Sequence, residues 1–217
     1  MNVWTCVRNC AGLAGMITLT SCGGLLETTL PAPQAYVLRL APNPNAAVPT
    51  ANVGSVQVHR PEAGPGLDSD RIVLLRSEQR FDSYAASRWA APAPVMVESM
   101  ILQALRADGA FASVLGDNSP YSPQYDLRVT LRRFEADYSS GGGVPTVYVT
   151  LDATLGRHRD RELVANFAVQ QSVRADEDRM GAVVAAFEKA TSAAVHALAS
   201  EAAAAAADEP SPASARK

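Results

Sequence analysis

The sequence predicts a mixed α/β (α+β) domain, because helix-like and strand-like stretches both occur in the body of the chain. Apolar residues recur at intervals of three and four in residues 95–106 and again in residues 177–201, which is typical of amphipathic helices. Apolar and polar residues alternate in residues 125–138, 147–155 and 163–169, which is typical of strands with one buried face. We therefore expect two main helices and a sheet in one domain.

The ends of both helices carry local signals. Gly109 follows the first helix and is the expected C-terminal cap, because glycine adopts the left-handed conformation without steric cost. Residues 176–178 (DED) precede the apolar periodicity of the second helix, where we expect them to form the N-cap and first turn and to favour the helix dipole. Six alanines, residues 202–207, extend this helix.

Shorter strands are expected before the first helix and just after it, at residues 36–40, 53–60, 71–76 and 111–115. Residues 71–76 (RIVLLR) are apolar on both faces and therefore indicate a buried strand.

The longest strand stretch changes the parity of its apolar residues partway along. Leu127, Val129 and Leu131 share one parity, whereas Phe134 and Ala136 have the other. One extra residue near Arg132 and Arg133 would return both sets to one face, so we predict a β-bulge there. A glycine-rich turn and a charged turn then separate three strands, which predicts an antiparallel meander with one solvated face.

Composition excludes several classes of protein. The 217 residues suffice for one domain with a real core, and 47% of them are hydrophobic. The net charge is −3 and no Lys/Arg cluster stands out, so we expect no nucleic-acid binding. Cys6, Cys10 and Cys22 are the only cysteines, so the body carries neither disulfides nor a cysteine-ligated metal site.

The amino terminus has the pattern of a processed export signal. Arg8 precedes a short apolar stretch, residues 11–20, as in secretory signal peptides. Leu19-Thr20-Ser21-Cys22 resembles the bacterial lipobox, in which the cysteine thiol receives a lipid, the peptide is cut before it, and acyl chains such as palmitate hold the protein at a membrane. Cys22 is thus the predicted lipid-attachment residue. A cleaved signal without lipid and an uncleaved anchor are the two alternatives.

This interpretation divides the chain into four parts. Residues 1–21 are the signal peptide, 22–35 a lipidated tether, 36–201 the folded domain, and 202–217 an alanine-rich extension with a disordered tail. Gly23 follows the cysteine; because Asp at this place is the usual signal for retention at the inner membrane, the resemblance points to the outer membrane, with the body facing the periplasm.

No group of residues in the sequence has the spacing of a known catalytic or metal site. There is no phosphate-binding loop, no nucleophile elbow and no H-E-x-x-H motif. The spacing of His59, His158 and His196 does not suggest metal ligands. We therefore expect a non-enzymatic protein with no catalytic residue, metal or cofactor.

Arg88 and Trp89 form the most informative pair in the body. Trp89 is the only tryptophan after the signal peptide, and Arg and Trp are enriched at protein interfaces. Two roles remain open for the pair: a core anchor at the entry to the first helix, or a contact for a partner protein.

The order of several short motifs resembles the ABC-type transport auxiliary lipoproteins. After the lipobox come an opening strand (YVLRL, residues 36–40), an R-W-A-x-P element (SRWAAP, 87–92), a G-x-F strand entry (GAF, 109–111) and a long strand (YDLRVTLRRF, 125–134). The resemblance covers about residues 36–200.

This resemblance implies a fold and a role. The fold is an antiparallel or mixed sheet with two main helices on one face, resembling the amino-terminal domain of TolB. The role is a non-enzymatic docking subunit of an MCE-type (Pqi-like) ABC system that moves lipids or hydrophobic compounds across the periplasm. The partner it implies is the periplasmic MCE-domain subunit, and the resemblance is also compatible with a ring-shaped homo-oligomer. A regulatory or assembly lipoprotein for cell-wall or lipopolysaccharide machinery is the alternative, and a periplasmic hydrolase is a third class.

Overall fold

The computed structural model describes four stretches of the chain, namely residues 32–43, 53–77, 80–141 and 143–209. They belong to one compact unit, Ala32–Lys217. The predicted signal peptide, the predicted lipid-attachment residue Cys22 and the end of the predicted tail lie outside the described residues.

The described residues form nine strands and two helices. In chain order they are β1 Gln34–Tyr36, β2 Val53–Val58, β3 Glu62–Ala63, β4 Arg71–Arg76, β5 Arg80–Trp89, α1 Ala93–Asp108, β6 Phe111–Leu115, β7 Tyr125–Asp137, β8 Thr146–Arg157, β9 Leu163–Arg174 and α2 Met180–Ala207.

A single mixed sheet is organised around the long strand β7. On one side β8 and then β9 pair antiparallel, which confirms the predicted meander. On the other side β2, β3 and β4 pair parallel with successive parts of β7. The sheet then continues from β2 to β6, and from β4 to β5 and β1. The mixed α+β fold class is therefore confirmed.

The predicted β-bulge lies in β7 at Arg132. Leu131 pairs with Leu151 of β8, but Arg133 already pairs with Thr150, so Arg132 is the additional residue. This extra residue restores one core-facing side along the whole strand. The apolar residues on both sides of the bulge are accordingly buried: Tyr125, Leu127, Val129, Leu131, Phe134 and Ala136.

The two helices pack against each other and against the sheet, α2 on β8 and β9 and α1 on β6 and β2. Helix α1 ends at Asp108 and is capped by Gly109, whose φ of 68° is left-handed and whose N–H donates to the carbonyl of Leu105, so the predicted cap is confirmed. Helix α2 runs through the alanine stretch, as expected, because Ala202 and Ala206 are buried and contribute to the core.

The expected strand at residues 36–40 is wrong. Strand β1 ends at Tyr36, and the following backbone runs along α2 instead of along the sheet. The Arg39 N–H donates to the Glu188 carboxylate at 3.1 Å, and the Ala41 N–H donates to the Ser192 hydroxyl at 3.0 Å. Side chains of α2 thus satisfy the backbone groups that a sheet neighbour would otherwise bond.

The acidic run at residues 176–178 does not form the start of α2, which corrects the predicted cap. The N-cap residue is Arg179, and the first turn contains no acid. Asp178 instead accepts a 2.6 Å hydrogen bond from the Tyr138 hydroxyl, and Glu177 pairs with Arg179. A partner directly after β7 therefore outweighs the local capping preference of the carboxylate.

The alternation predicts that Leu163 shares the apolar face of β9, but this prediction is wrong. A register shift opposite Leu155 and Gly156 places Leu163 beside Gly156, on the side away from the helices. Its side chain is therefore 56% exposed, whereas Val169 further along the strand is buried.

Candidate functional site

The predicted anchor, Cys22, lies outside the described residues, which begin at residue 32. Among the described residues, no helix is long and apolar enough to span a membrane.

Trp89 lies at the end of β5 in the centre of the core. Its side chain is fully buried, and its ring centroid is 5.2 Å from that of Phe187 and 5.8 Å from that of Phe134. Its backbone N–H donates to the carbonyl of Asp70 at 2.7 Å. The indole therefore joins β5, β7 and α2, and it offers no surface to a partner.

The indole N–H of Trp89 has no hydrogen-bond acceptor among the described residues. A buried donor without an acceptor costs about 1–3 kcal/mol. Two aromatic neighbours offset this cost, because favourably oriented ring pairs contribute about 0.5–1.5 kcal/mol each beyond their buried area.

Arg88, the neighbour of Trp89 in the sequence, faces solvent instead. Its guanidinium Nη1 lies 3.2 Å from Asp70 Oδ2, and both side chains are about half exposed. An exposed pair of this kind contributes about 0–1 kcal/mol. Of the two residues singled out in the sequence, only Arg88 has a side chain that a partner protein can reach.

A cluster of histidines and aspartates joins four separate segments at one end of the sheet. Both ring nitrogens of His59 contact carboxylates at 3.0 Å, Nδ1 that of Asp117 and Nε2 that of Asp126. The other oxygen of Asp126 lies 2.8 Å from Nδ1 of His158. Asp126 therefore sits between two imidazoles, one after β2 and one after β8.

Two imidazoles surround the carboxylate of Asp126 in this cluster. His59 contacts it through Nε2 and His158 through Nδ1. Burial raises the pKa of Asp126, but the hydrogen bonds from His59 and His158 outweigh this effect and leave the pKa below its ordinary value. The cluster is thus a network of charge-assisted hydrogen bonds.

The arrangement of the cluster differs from a catalytic triad. No hydrogen bond among the described residues joins His59 or His158 to a Ser, Thr or Cys side chain, as an activated nucleophile would require. No group of three or more His, Cys, Asp or Glu in the described chain has the arrangement of a metal site. The cluster holds together the ends of β2, β7 and β8 and the loop that follows β6.

The sequence did not indicate this cluster, because its members are far apart in the chain. His59 is 58 residues from Asp117 and 67 from Asp126, and His158 is 32 residues from Asp126. Only the parallel pairing of β2 with β7 brings His59 beside Asp126. The third histidine, His196, lies apart and contacts the carbonyl of Ala41 at 2.8 Å, so it attaches the segment after β1 to α2.

A second polar group lies at the opposite end of β7. The hydroxyls of Tyr84 and Tyr138 are 2.8 Å apart, and Tyr138 donates to Asp178 at 2.6 Å. Burial, followed by the hydrogen bond with Tyr138, raises the pKa of Tyr84 well above its ordinary value. Burial also raises the pKa of Tyr138. Both tyrosines therefore stay protonated and connect β5 with the residue after β7 and with the segment before α2.

These features define a class of protein: a mixed α+β domain in which two polar groups of the described residues join structural elements. Comparison with known families identifies it further. Residues 36–199 match the family described as the ABC-type transport auxiliary lipoprotein component. The chain therefore belongs to this family, whose members are auxiliary lipoproteins of ABC-type transport and are associated with the cell envelope. The resemblance to this family that the sequence indicated is therefore confirmed.

Solved structures show the same fold. The protein XCC0632 from Xanthomonas campestris, of the DUF330 family, is 28% identical with a TM-score of 0.68; the match covers 80% of this chain and 94% of that one. An uncharacterised protein is 14% identical with a TM-score of 0.62, over 79% of this chain and 99% of that one. No curated protein matches.

Proposed function

We propose that this protein is a lipid-anchored docking subunit of an MCE-type ABC system that moves lipids or hydrophobic compounds across the periplasm. The family match over residues 36–199 carries the proposal, because it covers the folded body almost completely. The lipobox-like Leu19-Thr20-Ser21-Cys22 precedes that body at the distance expected of a tether. ATP hydrolysis belongs to another subunit of the system.

Each part of the chain has a separate task in this proposal. Cys22 carries the lipid, residues 22–35 form the tether, and residues 36–201 bind the transporter. Two or three acyl chains, each contributing about 0.8 kcal/mol per buried CH₂, hold the protein essentially permanently at a membrane. Gly23 supports the outer membrane as the place of attachment, with the body in the periplasm.

Metabolic labelling with a radioactive fatty acid tests the anchor. The wild-type chain should incorporate palmitate, and Cys22→Ser should not, because serine lacks the thiol that receives the lipid. Cys10→Ser is the matched control: it removes another amino-terminal cysteine and should leave the labelling unchanged. Equal label in wild type and Cys22→Ser would refute the anchor.

Binding to an MCE-domain subunit tests the partner. The purified lipoprotein should form a complex with an MCE-domain subunit of the same organism, detected as a new species by size-exclusion chromatography. Arg88→Glu reverses a half-exposed charge beside the buried Trp89 and tests whether this surface takes part. Lys189→Glu, an exposed charge reversal on α2, is the control. If the wild-type protein binds neither an MCE subunit nor lipid, the transport role is wrong.

The alternative is a regulatory or assembly lipoprotein for cell-wall or lipopolysaccharide machinery. It shares the anchor but has a different partner, so the labelling experiment does not separate the two. Binding to a wall synthase or an export protein in place of the MCE subunit would favour it.

A further inference from the structure

An exposed aromatic side chain lies where strands β4 and β5 meet at one end of the sheet. Phe81 is 56% exposed, although it faces Leu75 of β4 across the strand pair. Leu75 is itself only partly covered. Directly beside this pair Arg76 faces Arg80, and both arginines are exposed. These four residues, which we call the Phe81 patch, combine an apolar centre with two guanidinium groups.

Strand β1 shows from which end of the sheet the amino-terminal part of the chain arrives. It pairs parallel with β5, beginning with Gln34 opposite Ser87 and ending with Tyr36. Both strands therefore run in the direction from Phe81 towards Trp89. The residues before Gln34 consequently approach the sheet from the side of the Phe81 patch.

The strand pairing also gives the distance from this entry point to the Phe81 patch. Arg88, the neighbour of the residue that faces Gln34, lies opposite Arg71 of β4. Phe81 lies opposite Leu75 of the same strand. Arg71 and Leu75 are four residues apart, which corresponds to about 13 Å along the strand.

The opposite end of the sheet lies about twice as far from the entry point. Because Leu74 faces Ala136 of β7, Arg71 lies about level with Arg133. The residues of β8 that face Arg133 and Tyr125 are 150 and 157, which are seven residues apart. This separation corresponds to about 24 Å.

The length of chain before the described residues restricts which end can lie at a membrane. Ten residues lead from the predicted anchor Cys22 to Ala32, where the described chain begins. A flexible chain of this length has a root-mean-square length of about 16–19 Å. At full extension it spans at most about 36 Å. The mean length is sufficient for the end with the Phe81 patch and falls short for the opposite end.

We propose that the Phe81 patch contacts the membrane to which the chain is anchored. The Phe81 ring lies between the lipid headgroups and the acyl chains, and the guanidinium groups of Arg76 and Arg80 bind lipid phosphates. This inference rests on the proposed lipid anchor at Cys22. Aromatic side chains beside long basic ones suit this position, because the ring enters the apolar layer while the charges stay among the headgroups.

Apolar burial contributes more to this contact than charge does. Arg76 also pairs with Asp82 at 3.4 Å, with both side chains about half exposed. The exposed acidic residues 176–178 lie at the same end of the sheet, since Asp178 accepts a hydrogen bond from Tyr138. These acids disfavour a strongly anionic membrane, so we expect contact with zwitterionic lipids that high salt weakens little.

A fluorescent probe beside the patch tests the contact in the lipidated chain. Ser77→Cys introduces an exposed thiol next to Arg76 and leaves the patch unchanged. A thiol-reactive NBD dye labels this position alone, because lipid blocks Cys22 and the signal peptide carries away Cys6 and Cys10. In liposomes of phosphatidylethanolamine and phosphatidylcholine, brominated acyl chains should quench the dye strongly, at low and at high salt.

Two matched controls separate contact of the patch from proximity of the whole body. Ser122→Cys carries the same dye on an exposed serine in the loop before β7, at the opposite end of the sheet, and should be quenched several times less. In the Ser77→Cys chain, Phe81→Ser should reduce the quenching several-fold, because the ring no longer holds this end in the lipid. Tyr121→Ser removes a 73% exposed aromatic ring at the opposite end and should leave the quenching unchanged.

Several outcomes would overturn the proposal. They are equal quenching at positions 77 and 122, quenching that Phe81→Ser does not change, and quenching that high salt abolishes. A dye at position 77 that is shielded only after a partner protein is added would make the patch a protein contact. Palmitate labelling of the same preparation distinguishes this failure from failure of the proposed function. A labelled chain without quenching refutes the membrane contact alone, whereas an unlabelled chain removes the anchor and with it this inference.

Discussion

Replacement of Trp89 tests whether this residue holds the core together. Its side chain is fully buried against Phe134 and Phe187. Truncation of such a side chain to alanine costs about 3–5 kcal/mol, because the transfer energy is lost and a cavity remains. For Trp89→Ala we therefore expect a loss of this size in the free energy of unfolding, which is a large fraction of the 5–15 kcal/mol typical of a domain.

Trp89→Phe separates the contribution of the ring from that of the indole N–H. Phenylalanine keeps part of the aromatic contact and removes the N–H that has no acceptor among the described residues, whose burial costs about 1–3 kcal/mol. We therefore expect Trp89→Phe to be more stable than Trp89→Ala by about 2 kcal/mol or more.

Urea unfolding followed by far-ultraviolet circular dichroism measures both variants, because this signal does not depend on the tryptophan itself. Arg88→Ala is the control: its side chain is half exposed, and its loss should cost less than about 1 kcal/mol. If Trp89→Ala stays within about 1 kcal/mol of wild type but no longer binds its partner, the assignment of Trp89 to the core is wrong.

Three further predictions concern the histidine cluster, a helix cap and the anchor. Because the folded-state pKa of Asp126 is lowered, its ionised form contributes stability above the ordinary carboxyl pKa, and this contribution is lost as the pH falls through the lowered value. The difference in unfolding free energy between wild type and Asp126→Asn should therefore be largest near neutral pH and shrink below about pH 4; a difference independent of pH would contradict the network. Gly109→Ala should cost about 1–2 kcal/mol in thermal or urea unfolding, because φ is 68° there. Gly181→Ala in the first turn of α2 meets no atom within 4 Å and should stabilise by up to about 1 kcal/mol; equal effects of the two would rule out the left-handed cap. Gly23→Asp should move the protein from the outer to the inner membrane on density-gradient separation, and an unchanged distribution would remove the argument for the outer membrane.

Local sequence signals predicted most of the strands and helices. The parity change along β7 was sufficient to locate the bulge at Arg132, because burial of one face fixes where each side chain must point. Gly109 was recognisable as a cap because glycine adopts the left-handed conformation at the end of a helix more readily than other residues. These features depend on residues close together in the chain, and they can therefore be predicted from the sequence.

Features that depend on tertiary pairing were not predictable in this way. Strand β5 has no regular alternation, since a register shift opposite β4 and a left-handed Ala86 (φ 51°) interrupt it. The acid Asp178 was assigned to a helix cap because its actual partner, Tyr138, is 40 residues away. The contacts of His59 with Asp117 and Asp126 exist only because β2, β6 and β7 are neighbours in the sheet.

Affinity purification of the lipidated chain from its own membranes, followed by mass spectrometry, tests the central claim most directly. The account predicts that the ATPase, the permease and the MCE-domain subunit of one ABC system are recovered with the wild-type protein. Recovery of that system should fall sharply with Cys22→Ser, because the unanchored protein is no longer held at the membrane. Recovery of a cell-wall synthase or of lipopolysaccharide export proteins in place of ABC-system subunits would contradict it.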